Sequence, residues 1–161
     1  VEYLLAKYGF KLLAKEYFMS DHSIFYAAVR CDALEPTTLP NGLYEKNKKL
    51  YLDYIYYHKE LVSDLNKKIH ATTHPIYLFG AHVFAQYLIE MGLYTEKIIC
   101  LLDNDENKHG KRLYGTNLRV ASPKILKDIS DPVVIVKAGV YSQEIMLDIV
   151  NNINSKVIFL E

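Results

Sequence analysis

The spacing of apolar residues changes character along the chain. Val1, Leu4, Leu5 and Tyr8 recur at helical spacing, and Gly9 suits the position that ends a helix. No capping residue precedes this helix, so the pattern predicts a piece cut from a longer chain; a trimmed tag or a removed initiator Met is the alternative. Phe10 to Phe18 and Ser23 to Arg30 are rich in aromatic and aliphatic residues, with Ser20-Asp21-His22 of turn composition between them. They predict an antiparallel hairpin. Two strands alone are marginal in water, so the hairpin is expected to complete a larger sheet or to pack on the rest of the chain.

Residues 32–42 hold Asp32, Glu35, Pro36, Pro40 and Gly42, a linker composition. A long helix is expected from about Asn41, as N-cap, to about His70. Tyr44, Tyr51, Ile55, His58, Val62, Leu65 and Ile69 trace one stripe, which Leu50, Tyr54, Tyr57 and Leu61 widen. A stripe this broad predicts packing on two bodies or on a partner chain, and a homodimer stays open. Ala71-Thr72-Thr73-His74-Pro75 breaks the helix.

From there strands and helices alternate. Ile76–Phe79, Lys97–Leu102, a short run around Leu118–Ala121, Val133–Val136 and Lys156–Leu160 read as strands. Val83–Met91, a short helix opened by Ser122-Pro123, and Ser142–Ile153 read as helices, with a polar loop over Asp103–Asn117. Short, continuously apolar strands separated by helices predict a parallel sheet covered on both faces. The expected fold is α/β: a small Rossmann-like parallel sheet with flanking helices, preceded by a helix, an antiparallel hairpin and a long linker helix. The expected divisions are 1–34, 35–74 and 75–161.

Composition narrows the function. The chain has 161 residues, half of them hydrophobic, and nineteen basic against nineteen acidic side chains. The balance holds in both halves, which excludes broad electrostatic capture of nucleic acid or anionic membrane. No apolar run approaches the ~18 residues of a membrane span. Two distant cysteines, Cys31 and Cys100, make neither a disulfide scaffold nor a cysteine-rich metal site. A cytoplasmic protein is the expectation.

In such a sheet, ligands bind outside the carboxyl ends of the strands. Three loops lie there. In the first, Gly80 lets backbone approach a ligand, and the helix after Ala81-His82 offers free N–H groups to an anion. The full G-x-G-x-x-G is absent, and a tight turn with a structural glycine is the other reading. In the second, Asp103 falls 23 residues after Gly80, near where a ribose-binding carboxylate sits in dinucleotide folds. Asp103 and Asn104 also suit a loop that bonds its own backbone. In the third, Lys137 can meet a phosphate, the small residues before the helix, Gly139 among them, leave room for a ligand near Tyr141, and Ser142 is a natural N-cap; a structural turn with an exposed Lys is the other reading. His82 sits at a helix N-terminus, where its charged form is disfavoured. His58 reads as a satisfied core histidine. No nucleophile–base pair assembles, so no catalytic residue and no metal ligand is assigned.

The order of segments resembles the C-terminal portion of S-adenosylmethionine-dependent methyltransferases of the sugar C-methyltransferase type. Leu4-Leu5-Ala6-Lys7-Tyr8-Gly9-Phe10-Lys11-Leu12 resembles the last helix and penultimate strand of a class I methyltransferase domain, and Phe10–Arg30 its closing hairpin. A long helix then leads into Ile76-Tyr77-Leu78-Phe79-Gly80-Ala81. Leu101-Leu102-Asp103-Asn104-Asp105, then Lys108 to Thr116 and Ser122-Pro123, resembles the family's aspartate-asparagine and glycine-threonine stretch. His82-Val83-Phe84 departs from the Ala-Lys-Gly run that members often carry there. The resemblance implies a parent enzyme with its methyl-donor domain upstream and S-adenosylmethionine as the parent's cofactor, none being held by these residues. It implies a nucleotide-sugar or similar small anionic acceptor, which this part helps to bind, and an upstream methyltransferase domain of the same parent chain as partner. A stand-alone nucleotide-binding or protein-interaction module is the alternative.

Overall fold

A computed structural model of the protein describes residues 1–32, 34, 38–39 and 41–161. Contacts divide the chain into two compact units, Val1–Leu52 and Asp53–Glu161.

The first unit opens with helix α1 (Glu2–Lys7). Strands β1 (Phe10–Phe18) and β2 (Ser23–Arg30) then pair antiparallel, from Phe10 opposite Arg30 to Phe18 opposite Ser23. The expected connection is there, as a single helical turn α2 (Met19–His22). Gly9 does end the first helix region: its φ is +76° and its carbonyl accepts from Cys31 N–H at 2.8 Å, closing the hairpin's open end. No described residue of this unit is buried, and Leu13, Tyr17, Phe18 and Phe25 are all more than half exposed. A two-stranded sheet has no interior in which to place these side chains.

Helix α3 (Leu43–Ala71) begins one residue later than the Asn41 cap predicts. Its first carbonyl is that of Gly42, which accepts from Lys46 N–H at 3.1 Å. Of the linker residues, Glu35, Pro36 and Pro40 lie outside the described residues. The broad apolar stripe is buried in its C-terminal half alone: His58, Val62, Leu65 and Ile69 are buried, whereas Tyr44, Leu50 and Tyr51 are more than half exposed. Among the described residues, no helix is long and apolar enough to cross a membrane.

The second unit holds a five-stranded parallel sheet. Its strands are β3 (Ile76–Phe79), β4 (Ile98–Leu102), β5 (Val120–Ala121), β6 (Val133–Val136) and β7 (Ile158–Leu160), in the order β5-β4-β3-β6-β7. The first strand is central, later strands add outward on one side, and the chain then crosses to the other, which is the Rossmann arrangement. Alternation sorts the side chains between two layers. Ile76, Leu78, Leu101, Val133 and Ile135 meet Val62, Leu65 and Ile69 of α3 and Ala85 and Leu88 of α4 (Val83–Glu90). Tyr77, Phe79, Leu102, Val134 and Val136 face Leu126 and Ile149 on the other side. Leu126 belongs to a 3₁₀ helix, Pro123–Asp128, and Ile149 to α5 (Ser142–Asn152). Ser122 caps that 3₁₀ helix as expected, accepting from Lys124 N–H at 3.3 Å, with Pro123 at the first helical position.

Polar side chains fix the ends of these elements. Asn66 of α3 accepts from Tyr94 N–H at 2.8 Å and donates to the Gly92 carbonyl at 2.9 Å. Lys97 Nζ reaches the carbonyls of Ile69, His70 and Thr72 at 3.2–3.4 Å, a cation on the negative end of α3.

Val62→Asp would bury a charge against the sheet and is expected to cost about 3–5 kcal/mol. Tyr51→Asp, on the exposed half of the same stripe, is expected to stay within about 0.5 kcal/mol of the parent. Urea titration of both variants checks the contrast; equal midpoints would contradict it.

Candidate functional site

The sheet reverses its building direction between β3 and β6, so the loops after these strands and after β4 share one edge of the sheet. All nine candidate residues lie in those loops or at the first turn of the helix that follows: Gly80, Ala81 and His82 after β3, Asp103 and Asn104 after β4, and Lys137, Gly139, Tyr141 and Ser142 after β6. They do not form one crevice. They fall into three places.

The first is the turn after β3, and it is closed on itself. Gly80 N–H donates to the Leu102 carbonyl at 2.7 Å, and Ala81 N–H to Asp103 Oδ2 at 2.8 Å. His82 is the N-cap of α4, its Nδ1 accepting from Phe84 N–H at 3.2 Å. An acceptor Nδ1 requires the neutral ring with its proton on Nε2. The imidazole lies over Gly80: a Cβ built there would sit 2.2 Å from His82 Nε2. Gly80 also has a φ of +97°, which a side chain would strain. Glycine is therefore required, but the open face it offers is filled by His82 rather than by a ligand. Burial holds the His82 imidazole below its ordinary value, with the Asp103 carboxylate opposing this and the Lys108 ammonium adding to it.

Asp103, at the tip of β4, is the hub of this turn. Burial alone would push its carboxyl up. Hydrogen bonds from Asp105 N–H (2.9 Å), Lys108 Nζ (2.9 Å) and Ala81 N–H outweigh that and leave it below the usual value. Both carboxylate oxygens thus serve the fold. His109 Nε2 donates to the Asp103 carbonyl at 2.7 Å, so that in the neutral imidazole Nδ1 is the acceptor.

The second place is the turn after β6. Ser142 is the first residue of α5 rather than its N-cap, which is Tyr141. Its Oγ accepts from Ala138 N–H at 3.0 Å, because the residues 139–141 form a 3₁₀ turn that carries the hydroxyl back over the loop. Lys137 Nζ lies 3.3 Å from the Tyr57 hydroxyl of α3 and 5.3 Å from its ring centre, on the α3 face of the sheet. Lys137, Gly139 and Ser142 line a hollow of about 360 Å³ with Tyr57 and Leu61. The Phe84 ring, edge-on to His82, stands 3.8 Å from where a Cβ on Gly139 would be. His82 and Phe84 together fill the space between the β3 and β6 turns.

The third place is open. Asn104 borders two adjoining hollows on the α5 face. One, of about 440 Å³, runs between the loop after β4, the 3₁₀ helix Pro123–Asp128 and α5. The other, of about 540 Å³, follows α5 and includes Tyr141. Sequence reasoning did not find this groove. Lys124, Lys127, Asp148 and Asn152 are ordinary surface residues of short helices, and nothing in their spacing marks a wall.

Among the described residues, no group of three or more His, Cys, Asp or Glu side chains is placed to hold a metal ion. Burial pushes the half-buried Cys100 thiol up, away from the nucleophilic thiolate.

Gly80→Val is a folding mutation rather than a clean block of a ligand, because its side chain meets the His82 ring and a positive φ. Gly80→Ala is expected to cost about 1–3 kcal/mol by thermal melting. His82 binds its proton less readily folded than unfolded, so its contribution to stability is full above the ordinary value of 6.5 and falls away as pH drops through the lower folded value. Melting temperatures of His82→Asn, a cap that does not titrate, should therefore gain on the parent's as pH falls from about 7 to about 5. A constant gap between the two would contradict the neutral-cap geometry.

Comparison with known proteins finds no family model that matches this chain and no curated protein that matches it.

Proposed function

We propose that this chain is the C-terminal portion of an S-adenosylmethionine-dependent methyltransferase of the sugar C-methyltransferase type. In this reading residues 1–34 supply the closing helix and hairpin of the methyl-donor domain. The Rossmann-like unit is an accessory body that helps to hold a nucleotide-sugar-like acceptor. The observation that carries the proposal is the hairpin. It is well formed, yet no described residue around it is buried, Phe10, Tyr17, Phe18 and Phe25 are exposed, and among the described residues its strands pair only with each other. Such a hairpin suits the edge of a larger sheet, which supplies both the missing strand partner and the missing core. The succession of helix, hairpin, long helix and Rossmann-ordered sheet agrees with the family's order of segments.

A second reading, a stand-alone nucleotide-binding or interaction module, is favoured by one feature: the Rossmann-like unit has its own two-layered core and its own groove.

The coding sequence upstream of Val1 separates the two. A glycine-rich strand–turn–helix within about one domain length, ~150 residues, supports the methyltransferase reading, and an initiator Met directly before Val1 supports the module. The chain as it stands lacks a donor loop in its own sequence and is expected neither to bind S-adenosylmethionine tightly nor to transfer methyl groups. Micromolar binding of the donor to these 161 residues in a calorimeter would overturn the assignment of the donor site to a separate domain.

A further inference from the structure

We infer that the ligand site of the Rossmann-like unit is the groove between the loop after β4, the 3₁₀ helix Pro123–Asp128 and α5, and that it takes a small hydroxyl-rich organic anion. The inference rests on the reading of this unit as a ligand-binding body, and is independent of methyl transfer.

Location comes first. The usual place, the glycine turn at the switch point, is filled by His82 and Phe84, and its Gly80, Ala81 and Phe84 amides are already bonded. The adjoining space at the same edge of the sheet is open. Its volume of about 440 Å³ lies in the range, ~300–1,000 Å³, that small-molecule sites occupy.

The walls then specify the guest. Lys124 and Lys127 are three residues apart on a 3₁₀ helix, whose turn is three residues, so they stand one above the other on the same side. Both line the groove, and neither is ion-paired among the described residues. Two neighbouring ammonium groups favour an anionic group at that wall. Across from them α5 contributes Asp148, whose Oδ1 accepts from Asn152 Nδ2 at 2.8 Å, which holds the carboxylate in place and leaves Oδ2 to accept from a ligand. In its neutral form His109 offers Nδ1 as a second acceptor, because Nε2 is bonded to the Asp103 carbonyl. Glu106 adds a third acceptor. Acceptors of this kind bind hydroxyl donors and repel a second anionic group. A simple inorganic anion meets the lysines but leaves the acceptors unmatched, and a neutral polyol does the reverse. One molecule carrying an anion at one end and hydroxyls at the other satisfies both walls. The anion can be a phosphate ester or a carboxylate.

The test is calorimetry and amide-shift NMR on the whole chain with four probes: glucose 6-phosphate, gluconate, inorganic phosphate and glucose. At least one of the two organic anions should bind, roughly tenfold or more tighter than inorganic phosphate or glucose, and which of them does tells phosphate from carboxylate. The shifted amides should centre on Asn104, His109, Lys124 and Lys127. Lys124→Ala with Lys127→Ala, both on exposed positions, should weaken the organic anion about tenfold at an unchanged melting temperature. Asp148→Asn should weaken the organic anion and leave inorganic phosphate as it was or tighter. The inference is overturned if neither organic anion binds, if inorganic phosphate binds as well as they do, or if the shifts centre on Gly80 to Phe84. A negative result here leaves the test of the methyl-donor domain untouched.

Discussion

A parallel sheet cannot leave a face in water, because every strand carries apolar side chains to both sides. Ile76 and Leu78 face one layer and Tyr77 and Phe79 the other, and β6 repeats the division with Val133 and Ile135 against Val134 and Val136. Each face must therefore find a helical cover. α3 and α4 take one side, and the 3₁₀ helix with α5 takes the other. The polar ties follow from this demand. Lys97 on the end of α3, and Asn66 between α3 and the segment before β4, hold the covering helices where the sheet needs them.

The same demand decides what the ligand edge can do. Loops after β3 and β4 emerge side by side, and the buried backbone groups there need partners. Asp103 satisfies it by accepting from both its own loop and the neighbouring one, and Lys108 balances the charge. A carboxylate engaged in this way is a structural brace rather than a free receptor for a ribose hydroxyl. The glycine turn is then sealed by the imidazole of the residue that caps the next helix. The two features that most resemble a dinucleotide site are in this way turned inward, and the open volume shifts to the α5 side.

Much of the fold was legible because periodicity reports burial. Four-residue runs such as Ile76–Phe79 and Val133–Val136 have no polar position and so admit only a two-sided, buried strand. The long helix was legible in extent but not in packing, since the stripe from Tyr44 to Ile69 is continuous in sequence while only its last third meets the sheet. The site was legible by edge and not by contact. Pattern placed nine residues at the carboxyl ends of the strands. It did not show that Lys137 turns to Tyr57, that Ser142 reaches back to Ala138, or that His82 lies over Gly80, since rotamers and turn geometry set these contacts and neither has a period. The groove was invisible for the same reason: its walls come from three separate stretches, 104–109, 122–127 and 148–153.

The stacking of His82 on Gly80 also restricts the routes by which this sequence can drift. A side chain arriving at position 80 meets the ring at 2.2 Å and a φ of +97° at once, so that step carries two penalties together. A replacement at position 82 by a small capping residue such as Ser or Asn removes the first and keeps the helix capped. Substitutions here have an order, with 82 ahead of 80, and the two positions should vary as a pair wherever the turn is inherited. A relative with a small residue at 82 would present an uncovered glycine turn, the part of this edge that His82 covers here.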